Sequence, residues 1–330
     1  MATLYVQEQG VMVRKKDNQI VVTKSGQVLQ EAPLGKIDQV ILMGRGVQMS
    51  TALIMELSAR GIPVLLTNQR GSRYYGSWVT WPSRFGDLRI EQMLRVNEPA
   101  WTLEVARGIV QAKLINQRAL LATTGWASAA AAMTQIDAAL TSLAGATTID
   151  MVRGYEGAAA AAYFGAWRTV YAANWGFHGR SFYPPPDPIN ALLSFGYTLA
   201  LHDVLTAVQF TGLDPYLGVF HAVEQGRPSL ALDLMEEFRP LLVDRAVLDL
   251  LHSASITKAQ FERPPQPPDA VYLNAKGRAL IIERYETRIQ QLYRLPSNEE
   301  TPLRRVILLQ ARALARVIRG EQPQYIGYTL

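Results

Sequence analysis

TGLDPYLGVFHAVEQGRPSLALDLMEEFRPLLVD, residues 211–244, is the stretch around which the chain is organised: one histidine and a knot of carboxylates lie inside a segment that is otherwise apolar. Burial and charge therefore compete within a few turns. Ser229 to Phe238 reads as a helix, on which residues three and four apart share a face, so Asp233, Glu236 and Glu237 are expected on neighbouring points of one side, with Leu230 and Leu234 as the buried edge. An isolated buried carboxylate neutralises, whereas carboxylates converging on a divalent cation stay ionised. A metal is the natural partner, and His221, placed after the loop 212–218, is positioned to add an imidazole to the same ion. A third ligand must come from elsewhere in the chain.

Working outward, the chain divides by its periodicities. Residues 4–42 alternate short β-rich runs with turn signals at Lys16-Asp17-Asn18 and Ser25-Gly26, which predicts antiparallel hairpins. Residues 50–60, STALIMELSAR, carry an N-cap serine and stop before Gly61, so one helix is expected there, feeding the strand Ile62 to Leu66. Tyr74 to Trp81, YYGSWVTW, adds a further strand. Beyond Pro82 the pattern is helical: Trp101 to Leu121, the alanine-rich Ala127 to Leu143, residues 156–173, Ile189 to Phe210, and Pro302 to Arg319. The predicted fold is α+β, with a small β-rich N-terminal domain, residues 1–85, and a larger all-helical domain, residues 86–330. Pro264 to Pro268, PPQPP, reads as a rigid surface connector rather than a boundary.

Composition narrows the function classes. A chain of 330 residues with 48% hydrophobic and 18% charged residues is a folded protein of two-domain size. It contains no cysteine, which removes disulfides, thiolate zinc sites and cysteine nucleophiles together. Residues 1–10 lack a signal pattern, and the apolar run 157–173 is broken by Arg168, so a cytoplasmic protein without a membrane span is expected. The net charge of +5 is uneven: residues 1–90 hold 11 Lys and Arg against 6 Asp and Glu, while the remainder is balanced. A polyanionic partner suits that excess without being required by it.

Other motifs sharpen the picture. In the last helix Arg305, Arg312, Arg316 and Arg319 fall on one stripe opposite Leu303, Ile307, Leu314 and Ile318, with no acidic residue between Thr301 and Gly320. The stripe reads either as a solvated face whose C-terminal arginines suit the helix dipole or as a phosphate-tracking surface. No Gly-rich loop followed by Lys-Ser/Thr and no G-x-S-x-G elbow is present. Glu156 is the candidate third metal ligand, although a glutamate opening a helix is favoured there by the dipole alone. His221 also has a plain reading as a hydrogen-bonded core histidine, and Asp233 with Glu236 as a surface pair. Should Glu156, His221 and Glu236 meet, two oxygens and one nitrogen suit Mg²⁺ or Mn²⁺ better than zinc.

Residues 211–240, together with Gly154-Tyr155-Glu156-Gly157, the run Pro184 to Tyr197 (PPPDPINALLSFGY), and the helix bearing Lys113, Asn116 and Gln117, resemble the CRISPR-associated adaptation integrase and endonuclease family. The resemblance covers nearly the whole chain in the same block order. It implies that Glu156, His221 and Glu236 bind the divalent ion with Asp233 close by as part of the catalytic set. Many members of the family carry aspartate at the position of Glu236, so this chain keeps the charge on a longer arm. It further implies a homodimer formed through the β-rich domain, a small CRISPR-associated ferredoxin-like partner, and insertion of short DNA fragments into a repeat array by transesterification from a DNA 3′-hydroxyl. Two readings stand beside it: a structure-selective repair nuclease using the same site, and a non-catalytic DNA-binding scaffold whose carboxylates only pair with Arg227 and Arg239. Whether Tyr197, Arg180 and Asn190 touch DNA is left open by the sequence.

Overall fold

The computed structural model describes residues 2–70, 74–78, 85–181, 184–265, 269–295 and 298–330. The chain divides into two compact units, Met1–Ser83 and Arg84–Leu330.

In the first unit, strands β1 (Ala2–Val6), β2 (Val11–Lys16), β3 (Gln19–Lys24), β4 (Gln27–Pro33), β5 (Ile37–Met43), β6 (Val47–Met49), β7 (Val64–Thr67) and β8 (Tyr74–Trp78) form two four-stranded sheets, ordered β1-β5-β7-β8 and β4-β3-β2-β6. Strand β2 alternates as a half-buried strand should, with Val11 and Val13 inside and Met12 and Arg14 outside. Asp17 and Ser25 adopt the left-handed conformation that tight hairpins need, closing β2–β3 and β3–β4 in antiparallel register. The all-antiparallel expectation fails elsewhere: β1 pairs parallel with β5, β5 with β7, and β2 with β6. Turn signals fix only adjacent pairings. The helix α1 (Thr51–Ala59), capped by Ser50, is the crossover between β5 and β7, and the burial of its Leu53 and Leu57 makes that pairing parallel. The remainder of the expected strand, residues 79–81, lies outside the described residues.

The second unit is mostly helical. It contains α2 (Gly86–Arg95), α3 (Pro99–Ala122), α4 (Ala129–Leu143), α5 (Ile149–Trp175), α6 (Pro188–Thr211), α7 (Ser229–Met235), α8 (Arg245–His252), α9 (Ala275–Ile289) and α10 (Leu303–Ile318). Two short ribbons interrupt it, β9 (Phe261–Glu262) with β10 (Tyr272–Leu273) and β11 (Leu292–Arg294) with β12 (Glu300–Pro302). The last three residues of the expected proline connector, 266–268, are outside the described residues.

Helix α6 is the axle of this unit. Asp187 caps it by accepting from the Asn190 amide, Pro188 occupies its first turn, and Gly212 ends it in the left-handed conformation. By length and composition it could cross a membrane, yet 83% of its apolar window is buried within the protein. Among the described residues it alone meets that test, which α5, the helix containing residues 157–173, does not. Its one buried carboxylate, Asp203, meets Arg304 Nε of α10 at 2.9 Å and the hydroxyl of Tyr285 on α9 at 2.6 Å.

Helix α5 corrects a boundary that bears on the site. Thr148 caps it and it runs unbroken through Gly154 and Gly157, so Glu156 lies in its third turn rather than opening it. The dipole argument for a glutamate in a first turn therefore does not apply to this residue.

Candidate metal and phosphate site

Three elements distant in sequence converge in the second unit. Lys113, Asn116 and Gln117 lie three and four residues apart on one face of α3 and are all buried. Lys113 Nζ sits 2.5 Å from Glu156 Oε1 of α5 and 2.6 Å from Glu236 Oε2. His221 Nε2 is 3.8 Å from Glu236 Oε1, and Arg239 Nη2 is 3.1 Å from the same oxygen. Glu156, His221 and Glu236 all line one cavity of about 600 Å³, into which Arg168, Arg180 and Arg239 also open.

Asp233 holds His221 in place. Fully buried, it accepts from the backbone amides of Val219, Phe220 and His221 at 2.6, 3.0 and 2.8 Å, and its Oδ1 lies 2.6 Å from His221 Nδ1. With Nδ1–H donating to the carboxylate, the lone pair falls on Nε2, on the side of Glu236. Gly218 permits this closeness, because a Cβ there would come within 2.6 Å of Ser229 Cβ and 2.9 Å of Asp233 Oδ2.

The predicted continuous helix 229–238 gives way after Met235 to a 3₁₀ turn, Glu236–Phe238, and a π turn, Arg239–Asp244. Pro240 lacks the amide that would bond to the Glu236 carbonyl, so the turn widens there. The consequence is that Glu236, Arg239 and Asp244 all reach one cavity. Glu237 departs from the expected shared face. Its carboxylate accepts from Tyr325 Oη, the Tyr328 amide and Gln310, on the side of the last residues of the chain.

The electrostatics follow from this packing. Burial alone would raise the Glu236 carboxyl, but Arg239, Lys113 and His221 reverse the effect and hold it at about 2. Burial would lower Lys113, and Glu236 and Glu156 outweigh it, so the ammonium stays charged. Burial pushes Asp244 up to about 6 against the opposing hydroxyls of Tyr197 at 2.6 Å and Tyr163 at 3.0 Å. Arg239 lies 4.5 Å above the Tyr197 ring and Arg180 5.3 Å from it, a stacked cationic wall. Asn190 is a clasp rather than a wall residue: buried, it bonds Asp187, Gly179, Ser181 and Arg180 and so secures the loop before α6.

The residues suit a divalent cation by one direct observation: a single positive centre, the Lys113 ammonium, touches both glutamates, and the imidazole is next to them. Lys113 stands where such a charge would be held. Among the described residues, no three His, Asp or Glu groups are drawn tightly enough to clasp an ion without adjustment. The sequence names Glu156, His221, Asp233 and Glu236 and pairs Arg239 with the carboxylates, as found with Glu236, whereas Arg227 pairs with Glu224 and the bridging role of Lys113 goes unread. The signal for Lys113 was its spacing with Asn116 and Gln117; nothing local pointed to Asp244.

Comparison with known proteins agrees along the chain. The family model described as CRISPR associated protein Cas1 matches residues 4–287. The chain is 32% identical over 328 residues to a CRISPR-associated endonuclease Cas1 of Thermus thermophilus, covering 98% of this chain and 96% of that one. It is 35% identical over 339 aligned positions to another of Rhodospirillum rubrum, with the same coverage of each chain. Among solved structures, a Cas1 protein from Thermotoga maritima superposes with a TM-score of 0.84 at 24% identity over 98% of both chains. A casposase bound to integration product gives 0.86 at 21% identity, covering 99% of this chain and 94% of that one. The family model spans most of the chain and full-length relatives match 98% of it at above 30% identity, so this chain belongs to the CRISPR-associated Cas1 family.

Proposed function

We propose that the chain is a divalent-metal-dependent DNA endonuclease and integrase that inserts short DNA fragments into a CRISPR repeat array by transesterification. The observation that carries this reading is the Lys113 ammonium held between Glu156 and Glu236 beside His221. Glu156, His221 and Glu236 would hold Mg²⁺ or Mn²⁺, which supplies Lewis-acid polarisation of a phosphodiester and orientation of an attacking hydroxyl when bound. Asp233 fixes the imidazole through Nδ1 and keeps Nε2 available. Arg239 and Lys113 keep Glu236 ionised, and Arg168, Arg180 and Arg239 give phosphate oxygens a cationic wall. The substrates are DNA with 3′-hydroxyl ends and a repeat array. Among solved neighbours a Cas6-RT-Cas1–Cas2 complex matches the fold; the reading includes, as the family resemblance implies, a homodimer through the β-rich domain and a small CRISPR-associated ferredoxin-like partner.

The test supplies a fragment with free 3′-hydroxyls, a supercoiled repeat array and Mn²⁺ or Mg²⁺, and scores strand-transfer product. Product that vanishes with EDTA is expected. Cleavage of branched DNA with no insertion into the array would favour the repair-nuclease reading. The ion pairs of Glu236 with Lys113 and Arg239 favour a second reading, a DNA-binding scaffold; it predicts binding with no metal-dependent product at all.

A further inference from the structure

The arginine stripe of α10 is a charged feature that the site leaves unexplained. Arg305, Arg312, Arg316 and Arg319 are all exposed, while Leu303, Ile307, Leu314 and Ile318 are buried, so packing fixes the stripe outward. Arg305, Arg312 and Arg316 make no ion pair among the described residues, and Arg319 reaches only Glu321, at 4.0 Å. Several arginines on other helices and their ends pair locally, Arg95 with Glu98, Arg153 with Asp150 and Arg245 with Asp249. The helix dipole does not account for the stripe, since Arg305 sits in the first turn, at the positive end. Like charges three and four residues apart, as at 312, 316 and 319, repel each other as well. This face thus carries an electrostatic cost that the fold itself does not relieve.

We propose that the outward face of α10 is a second nucleic-acid surface, gripping the sugar-phosphate backbone of DNA away from the reacting phosphodiester. From Arg305 to Arg319 the helix rises about 21 Å, a span that faces about six phosphates of one strand. All four cations are guanidinium groups, which suit bidentate contact with phosphate oxygens. No large apolar side chain of α10 is exposed, which disfavours insertion into a lipid surface. The inference builds on the reading of the chain as DNA-processing, but its test measures binding without metal and without product.

The test replaces Arg305, Arg312, Arg316 and Arg319 with Gln in the full chain and measures affinity for a short duplex across a salt series. A control replaces Arg60, Arg95, Arg118 and Arg294, each already ion-paired, and removes the same net charge. The expected result is a log–log salt slope smaller by about 3.6 in the stripe variant, at about 0.9 per lost phosphate contact, with the control near wild type and a four-lysine stripe variant recovering most of the slope. An unchanged slope in the stripe variant, or equal loss in both, overturns the proposal. So does a stripe variant that loses binding to polyglutamate while keeping its DNA slope, the mark of an acidic protein partner. Should the four-glutamine variant unfold, Arg305→Gln and Arg312→Gln are read singly, each expected to lower the slope by about 0.9 and overturning the proposal if neither does. Absence of metal-dependent strand transfer by the wild-type chain, with this slope change still seen, would sink the enzyme reading alone.

Discussion

Lys113 is the residue on which the site turns. It is a buried ammonium shared by two carboxylates, so its removal leaves Glu156 and Glu236 facing each other without compensation. Lys113→Met is expected to destabilise the protein by about 3–5 kcal/mol, the usual result of breaking a buried ion pair from one side. Added Mn²⁺ should recover more of the loss in this variant than it adds to wild type, because a second cation then occupies the vacated position. Thermal unfolding with and without Mn²⁺ checks both statements; a variant as stable as wild type would show that the bridge contributes little. Asp233 acts one step back. Asp233→Asn keeps its shape but replaces one acceptor oxygen with a donor amide, so four converging donors are left competing for one oxygen. Strand transfer by this variant is expected to fall at least tenfold, with His221 ring nitrogen shifts moving in NMR; unmoved shifts would argue that Asp233 does not set the tautomer.

At the scale of elements, the last residues of the chain brace the helix and turn that carry Lys113 and Glu236. Asn116 donates to the Glu237 and Tyr328 carbonyls at 2.9 and 2.8 Å and accepts from the Leu330 amide at 3.2 Å. Tyr328 stacks on Phe238, with ring centroids 6.3 Å apart. Gly108 lets the strap lie this close, since a Cβ there would meet Tyr325 O at 2.6 Å. Gly108→Val is expected to cost about 1–3 kcal/mol and to open residues 325–330 to limited proteolysis, read by mass; a segment equally protected in the variant would contradict the bracing. These contacts also explain what was legible in advance. The longer helices and the Ser50 cap were, because capping and apolar periods act within a few residues, whereas the Thr148 start of α5 was not. Hairpins were, through Asp17 and Ser25, but the parallel partners of β1 and β5 were not, since a crossover is a non-local choice. The 3₁₀ and π turns escaped notice although Pro240 was the local cue. Glu237 was misassigned because a regular helix was assumed through Phe238.

For the whole molecule, two buried carboxyls pull stability in one direction and a third in the other. Asp244 is raised to about 6 and Glu237 to about 7, both by burial, so the folded state holds protons that the unfolded chain has already released. Their contribution is fully present below the ordinary carboxylate range and is lost as pH rises through 6 and 7. Glu236, held at about 2, contributes stability above that range and loses it as pH falls towards 2. The melting temperature is therefore expected to peak in mildly acidic solution, and Asp244→Asn should flatten its decline between pH 4 and 6; a profile unchanged by that substitution would remove Asp244 from the account.

The central claim is that Glu156, His221 and Glu236 together make one cation site, and Mn²⁺ titration followed by electron paramagnetic resonance reads it directly. Wild type is expected to bind Mn²⁺ saturably, with Glu156→Gln, His221→Ala and Glu236→Gln each weakening the binding by at least tenfold while circular dichroism stays unchanged. Binding of Mn²⁺ with equal affinity by all three folded variants would contradict it.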